Sequence, residues 1–318
     1  MLNSLLQQFL DMSIIFSFDQ RGYNRHREYF NEADLDKDLT GQNALITGAN
    51  AGIGYSLALE LARRNASVYL LCRNPEKGEK AVEQIRAETG SSSVFLEIID
   101  VSDLSSVRSF LARNKLQRIH ILLINAGILP LHYQSSPQGY ENTLATNLLG
   151  HHLLIQGLWS RLQGGRLILI SSGGMYPVPL NIKQLFEPEP KGFDGVRQYA
   201  LTKRAQVVLT ELLAEKGAEQ ETIVHSMHPG WVNTDGVQHS LPKFWEKMKD
   251  HLRTTQEGAD TALWLTMSDQ AGRSSGQFWF DRKPRRNRMF YQKETPEQIK
   301  QELWKRLESI TQEYRWEK

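Results

Sequence analysis

A doubly wound α/β fold, in which helices cover both faces of a seven-stranded parallel sheet, is predicted by three features of the sequence. From about residue 42 to residue 280, apolar runs of strand length alternate with segments of helical periodicity, the order that builds parallel strands joined by crossover helices. Most runs are β-branched or leucine-rich instead of alternating polar and apolar, as strands buried on both faces require. The stretch Thr47-Gly48-Ala49-Asn50-Ala51-Gly52-Ile53-Gly54 stands where the first strand hands over to a helix. Glycine there lets backbone approach a pyrophosphate, whose charge a helix N-terminus stabilises.

Taken in order, the strands are expected at residues 43–47, 67–71, 94–98, 120–124, 166–171, 223–227 and 276–280, and the helices at 53–64, 75–88, 104–113, 140–159, 199–216 and 256–267. Thr254 with Glu257 three residues on makes a capping box for the last of these. Thr295-Pro296-Glu297-Gln298 reads as another start, with a Thr cap and Pro in the first turn. Ile299, Leu303, Leu307, Ile310 and Tyr314 then give a final helix one apolar stripe, expected to pack on the domain or a partner. Near the beginning, Leu2, Leu5, Leu6, Phe9 and Leu10 share one helical face, with Asn3, Ser4, Gln7 and Gln8 opposite. The first twenty residues hold no Lys or Arg and Asp11 breaks the apolar run, so neither a signal peptide nor a membrane span is expected. The amphipathic helix is read as docked on its own domain or a second subunit. Weak association with a membrane surface is the alternative, and the missing basic residues count against it. The expected organisation is an N-terminal helical extension over 1–38, one dinucleotide-binding domain over 39–290, and a C-terminal amphipathic helix over 291–318.

Composition narrows the function. The 318 residues are 40% hydrophobic, enough for a sizeable core. A net charge of +2 gives no bulk electrostatic case for nucleic acid, and the basic run Arg282, Lys283, Arg285, Arg286 and Arg288 is expected to be a solvated or interface loop. Cys72 is the single cysteine, which excludes an internal disulfide and a cysteine-based zinc site; nothing demands an oxidising compartment, and a cytoplasmic location is expected. His151 and His152 lack partner ligands at metal spacing and read as ordinary helix residues, with no metal expected.

The chemistry is concentrated at Tyr199 and Lys203, with Ser172 upstream. A four-residue step on a helix puts both side chains on one face, where an ammonium favours the ionised phenol. Phenol titrates near ~10, so a base working near neutrality needs about 3 units of depression, roughly 4 kcal/mol. At the end of the second strand, Leu70-Leu71-Cys72-Arg73 offers no carboxylate for ribose hydroxyls. Arg73 is instead placed to pair with a 2′-phosphate, which favours NADP(H) over NAD(H).

The glycine turn and the Tyr199-Ala200-Leu201-Thr202-Lys203 stretch together resemble the short-chain dehydrogenases/reductases, over roughly residues 39–280. The resemblance implies a single Rossmann-type domain in which Gly48, Asn50, Gly52, Ile53 and Gly54 hold the pyrophosphate, Asp100 and Val101 meet the adenine, and Asn125-Ala126-Gly127 lines the cofactor. Asp100 could instead cap the helix from Leu104 onward. Pro229, Gly230, Val232 and Thr234 would hold the nicotinamide carboxamide, and Tyr199 and Lys203 would also touch the ribose. By the same resemblance Ser172 orients the substrate oxygen, Tyr199 is the general acid/base, Lys203 lowers its pKa, and Asn147 holds a water that bridges to the lysine. Ser171 is left as a structural serine. The 27-residue step from Ser172 to Tyr199 carries Pro177, Pro179, Pro188 and Pro190 and is similar to retinol-dehydrogenase-like members, where a loop reaches over the substrate. Leu241, Phe244, Trp245 and Met248 form a candidate lid suited to a hydrophobic carbonyl or alcohol, or else the core side of a surface helix. Two long central helices commonly join subunits in this family, so a homo-oligomer is one expectation. The implied activity is NADP(H)-dependent interconversion of a carbonyl and an alcohol, with reduction favoured. The competing reading is a catalytically silent cofactor sensor or interaction protein that kept the fold.

Overall fold

The computed structural model describes residues 17–315; the apolar stripe from Leu2 to Leu10 lies outside them. Among the described residues, eight strands form one sheet in the order β3-β2-β1-β4-β5-β6-β7-β8. They are β1 Asn43–Thr47, β2 Ser67–Cys72, β3 Val94–Ile98, β4 Ile121–Ile124, β5 Arg166–Ile170, β6 Ile223–Met227, β7 Phe278–Phe280 and β8 Lys283–Arg285. The first seven pair in parallel, and β8 turns back antiparallel on β7. The sheet therefore has one strand more than expected, and it is built from the basic run that read as a loop. Asp281 and Arg282 adopt positive φ, 49° and 55°, to make the reversal. Two charged residues carry no hydrophobic signal for such a turn.

Each face of the sheet has its own core. One packs Leu45, Leu122, Ile124, Leu167 and Leu169 against the helices Gly150–Leu158 and Gly195–Gly217. The other packs Ile46, Leu70, Leu123 and Ile168 against Gly52–Arg63 and Thr255–Met267. Strands β1, β4 and β5 are apolar toward both, which explains their continuous hydrophobic runs. The capping box at Thr254 forms as expected: Glu257 N donates to Thr254 Oγ1 at 3.1 Å and Thr254 N to Glu257 Oε2 at 2.7 Å.

Three helices differ from their sequence expectation. The one carrying Tyr199 starts four residues earlier, at Gly195, because Asp194 caps it by accepting from Arg197 N at 3.0 Å. The stretch expected as one helix over 140–159 is an α-turn at Asn142–Leu144, a π-helical turn over Ala145–Leu149 and an α-helix over Gly150–Leu158. A one-residue insertion into the ladder leaves the apolar pattern readable as continuous helix, so periodicity could not reveal it. The last helix, Glu297–Thr311, begins after Pro296, with Thr295 outside it and no side-chain cap. Its apolar stripe is seated on the domain, with Leu303 and Leu307 fully buried against the Gly150–Leu158 and Gly195–Gly217 helices.

The N-terminal segment docks at the far end of the sheet through a short helix, Gln20–Arg27, capped by Asp19. Arg253, 1% exposed, holds it there by donating to Ser17 O and Asp19 O at 2.8 and 3.2 Å. The same guanidinium makes a two-pronged pair with the Asp281 carboxylate, at 2.6 and 2.9 Å. No helix among the described residues is long and apolar enough to cross a membrane.

Candidate active site

Parallel strands present their C-terminal ends to a crevice where the chain order reverses, here between β1 and β4. The glycine turn leaves β1 into that crevice. Gly48 and Gly52 sit at φ +66° and +59°, and a Cβ on Gly54 would strike Gly48 O and Asn125 Nδ2. The Gly52–Arg63 helix then starts from Ala51 with no side-chain cap. Its first N–H groups face outward from a bare backbone, which fits a pyrophosphate. Asn125 closes the underside: its Nδ2 donates to Thr47 O at 2.9 Å and Gly48 O at 3.2 Å, while Asn125 N and Ala126 N both donate to Thr47 Oγ1.

Arg73 and Asp100 stand together at the ends of β2 and β3, with Arg73 Nε 3.9 Å from Asp100 Oδ2 and the Arg73 side chain 70% exposed. A long, solvated pair of this kind holds its partners weakly. Asp100 does not cap the helix from Leu104; Asp103 does that. Instead Asp100 Oδ1 accepts from Ser102 N and Oγ at 2.9 and 2.6 Å, fixing the loop in which Val101 is buried.

On the opposite side, Val232 is buried and paired with Arg253 in an isolated parallel bridge, next to Pro229 and Gly230. Thr234 caps the short helix Asp235–Ser240, and its Cγ2 lies 3.5 Å from where a Gly52 Cβ would be. The loop after β6 and the glycine turn thus meet across the crevice. Beyond them Leu241, Phe244, Trp245 and Met248 are all half-buried. Phe244 packs edge-on to Trp231 at 5.1 Å, and Trp245 Nε1 donates to Asn233 Oδ1. The four side chains lie in a half-buried surface layer next to the loop after β6.

Ser172, Tyr199, Lys203 and Asn147 come together beside β5. Ser172 Oγ accepts from Gly174 N at 3.1 Å and lies close enough to the Tyr199 phenol to favour its ionised form. Ser171 is the structural serine, its Oγ donating to Lys203 O at 2.9 Å. Lys203 is buried and donates to Ile170 O at 2.8 Å and Gln206 Oε1 at 3.1 Å, with its Nζ 5.6 Å from the Tyr199 ring centre. The Asn147 side chain is fully engaged: Ile128 N donates to its Oδ1, and its Nδ2 donates to Ile128 O and Thr202 Oγ1.

Two departures from the expected electrostatics follow. Burial pushes the Tyr199 phenol up, with the Ser172 hydrogen bond pulling the other way, so the depressed phenol expected beside a lysine is not the state of the free protein. Burial also lowers Lys203, to about 7. The cause is desolvation, since both groups sit where charge is poorly solvated; the carbonyl and amide that accept from the ammonium offset it only in part.

Sequence reasoning missed two residues here. Gln206 bridges Lys203 and the backbone carbonyl of Asn147, donating to the latter at 2.7 Å. It lies three residues past Lys203 on the same buried face, a signal that was legible. His228 Nδ1 accepts from Gly173 N at 3.0 Å and Gly230 N at 3.3 Å, tying the serine loop to the loop after β6. Phe18 and Phe280 flank its ring at 4.2 and 5.0 Å, and burial lowers it to about 3, so it is neutral. His151 is likewise kept neutral by burial and lies 3.2 Å from Thr47 Oγ1, while His152 faces Glu308 at 3.0 Å. Among the described residues no group of His, Cys, Asp and Glu is arranged to hold a metal.

The family profile described as short chain dehydrogenase matches residues 42–183. The chain is 39% identical over 274 residues to dehydrogenase/reductase SDR family member 12 of Homo sapiens, covering 84% of this chain and 85% of that one. It is 36% identical to retinol dehydrogenase 12 of Bos taurus, over 77% of this chain and 79% of the relative. Among solved structures, a Mycobacterium paratuberculosis protein superposes with a TM-score of 0.72 at 26% identity, covering 89% of this chain and 97% of that one. A short chain dehydrogenase from Shigella flexneri, solved in complex with NADP, superposes with a TM-score of 0.62 at 25% identity, covering 78% and 100%.

Proposed function

Because the chain belongs to the short-chain dehydrogenase/reductase family, we propose that it is an NADP(H)-dependent oxidoreductase that interconverts a carbonyl and a primary or secondary alcohol, acting as a reductase on a hydrophobic substrate. One observation carries this reading: a protonated phenol beside a serine and one helical turn from a buried lysine, at the crevice of a dinucleotide fold. NADPH, when bound, supplies the hydride for the carbonyl carbon. Tyr199 Oη gives its proton to the substrate oxygen as negative charge develops there, and Ser172 Oγ–H donates to the same oxygen while its lone pair keeps Gly174 N. Lys203 then stabilises the phenolate left behind. Asn147 keeps the Gly127-Ile128 turn against the lysine.

The cofactor is held by Gly48, Asn50, Gly52, Ile53 and Gly54 at the pyrophosphate, Asp100 and Val101 at the adenine, Asn125, Ala126 and Gly127 along its length, and Pro229, Gly230, Val232 and Thr234 at the carboxamide. The choice of NADP(H) rests on Arg73, which lies at the end of β2 where a carboxylate would otherwise meet the ribose hydroxyls and is held only loosely by Asp100, at 3.9 Å. Arg73→Ala is expected to weaken NADPH binding about tenfold or more relative to NADH, the scale of a charge-assisted hydrogen bond. Titrating both nucleotides by protein fluorescence checks this, and an unchanged affinity ratio refutes the assignment.

The activity itself is tested by following NADPH consumption against a panel of aliphatic, aromatic and polyene aldehydes and ketones; retinal is included because similar proteins carry the name retinol dehydrogenase. Turnover of at least one hydrophobic carbonyl is expected. Tight NADPH binding without consumption, and no reduction of NADP⁺ by the matching alcohols, would favour the silent sensor instead. The two central helices that commonly join family subunits are covered here by Glu297–Thr311. A monomer near 36.5 kDa is therefore expected in light scattering, and a dimer would show that another face assembles.

A further inference from the structure

Lys203 has three N–H donors and, among the described residues, no carboxylate paired with it. One donor goes to Ile170 O at 2.8 Å and one to Gln206 Oε1 at 3.1 Å, which leaves a third for the crevice. Gln206 is 1% exposed, and its amide has one orientation that works. Oε1 must face the ammonium, because the other end, Nε2, donates to the backbone carbonyl of Asn147 at 2.7 Å. Tyr199, Lys203 and Gln206 occupy successive turns of one helix face, half-buried at Tyr199 and buried at the other two, so the bridge reaches from beside the phenol to the π-helical turn of Asn147.

Resting on the oxidoreductase reading above, we propose that Gln206 is a positioning residue for the reaction: its amide clamps the Lys203 ammonium to the Asn147 carbonyl, holding the lysine's charge and its remaining N–H toward Tyr199 and the cofactor ribose. The surroundings give the amide unusual weight. The titratable groups near Lys203 are Tyr199 on its own helix and His151 on the neighbouring one, and both are neutral at pH 7, His151 because burial lowers it. The Gly127 turn and the end of β5 contribute backbone, and Ser172 contributes a hydroxyl. Against the cost of burying an ammonium, the two acceptors are its compensation. Burial already brings Lys203 to about 7, so losing one acceptor moves its titration through the neutral range.

The test compares Gln206→Met, which keeps the volume and removes both hydrogen bonds, with Gln206→Glu, which keeps an acceptor for Lys203 and removes the donor to Asn147. Lysine side-chain NMR of the free protein, with the Lys203 signal identified by Lys203→Arg, reads the titration directly. Relative to the unsubstituted protein, the Lys203 midpoint is expected to fall by about one pH unit in the Met variant and to rise in the Glu variant. The alkaline limb of kcat moves in the same directions, while KM for the carbonyl changes little. Thermal unfolding and NADPH affinity serve as controls for folding. A Lys203 midpoint that is the same in all three proteins overturns the proposal, as does a Met variant that loses stability with its midpoint unmoved. The NMR arm stands whether or not a carbonyl substrate is found, so failure of the clamp and failure of the oxidoreductase reading give different results.

Discussion

Tyr199→Phe is expected to lower kcat/KM for carbonyl reduction by about 100- to 10,000-fold, the range that a well-placed general acid contributes, while leaving NADPH affinity within about threefold. The phenylalanine keeps the ring and its packing and removes the proton donor alone. The crevice therefore retains its shape, with Lys203 still bonded to Ile170 and Gln206. Steady-state kinetics with a turned-over carbonyl, alongside cofactor titration, checks both halves. The pH dependence has a definite sign. Tyr199 acts as an acid, so reduction is expected to fade as pH rises and the Tyr199–Lys203 pair loses its proton, with an apparent pKa that belongs to the pair. Turnover that survives the substitution, or that grows on the alkaline side, would remove Tyr199 from the reaction.

Asp281→Asn is expected to cost about 3–5 kcal/mol of stability, the loss typical when one member of a buried ion pair goes and the other charge stays. Asparagine preserves the size of the side chain and tolerates the positive φ of 49° at this position, so the charge is what changes. Arg253 is then left 1% exposed with the Ser17 and Asp19 carbonyls but no counter-charge. Urea unfolding reads the loss, and a fall in Tm on the order of 10 °C accompanies it. Burial alone would raise the Asp281 carboxyl, but Arg253 and the hydrogen bond from His26 outweigh it and bring it down to about 2. A carboxyl lowered by folding stabilises the native state fully above its unfolded value of 3.8 and loses that contribution as pH falls through about 2. The gap in stability between the two proteins should therefore narrow across that acid window. A loss under about 1 kcal/mol, constant with pH, would mean the pair stabilises nothing.

Local chemistry made some parts of this protein legible. The Thr254–Glu257 capping box, the apolar stripe of Glu297–Thr311 and the glycine turn after β1 each depend on residues close in sequence, and each forms. The one-face spacing of Tyr199 and Lys203 was equally local. What it could not convey was the direction of the ammonium, because Ile170 arrives from β5 and Gln206 competes for the same donors. Strand β8 was hidden because Lys283 and Arg285 pair with Phe280 and Phe278 by backbone bonds, which leave no hydrophobic trace.

Residues near one another in the chain were enough to read the parallel α/β sheet, the glycine turn and the residues proposed for the reacting centre, because periodicity, turn conformation and helical spacing act over a few residues. The protonation of Tyr199 and Lys203, the Gln206 bridge to Asn147 and the Arg253–Asp281 anchor were decided only in the tertiary structure. Desolvation and charge pairing depend on which distant groups share a buried space, and that is set when the sheet, its helices and the N-terminal segment pack together.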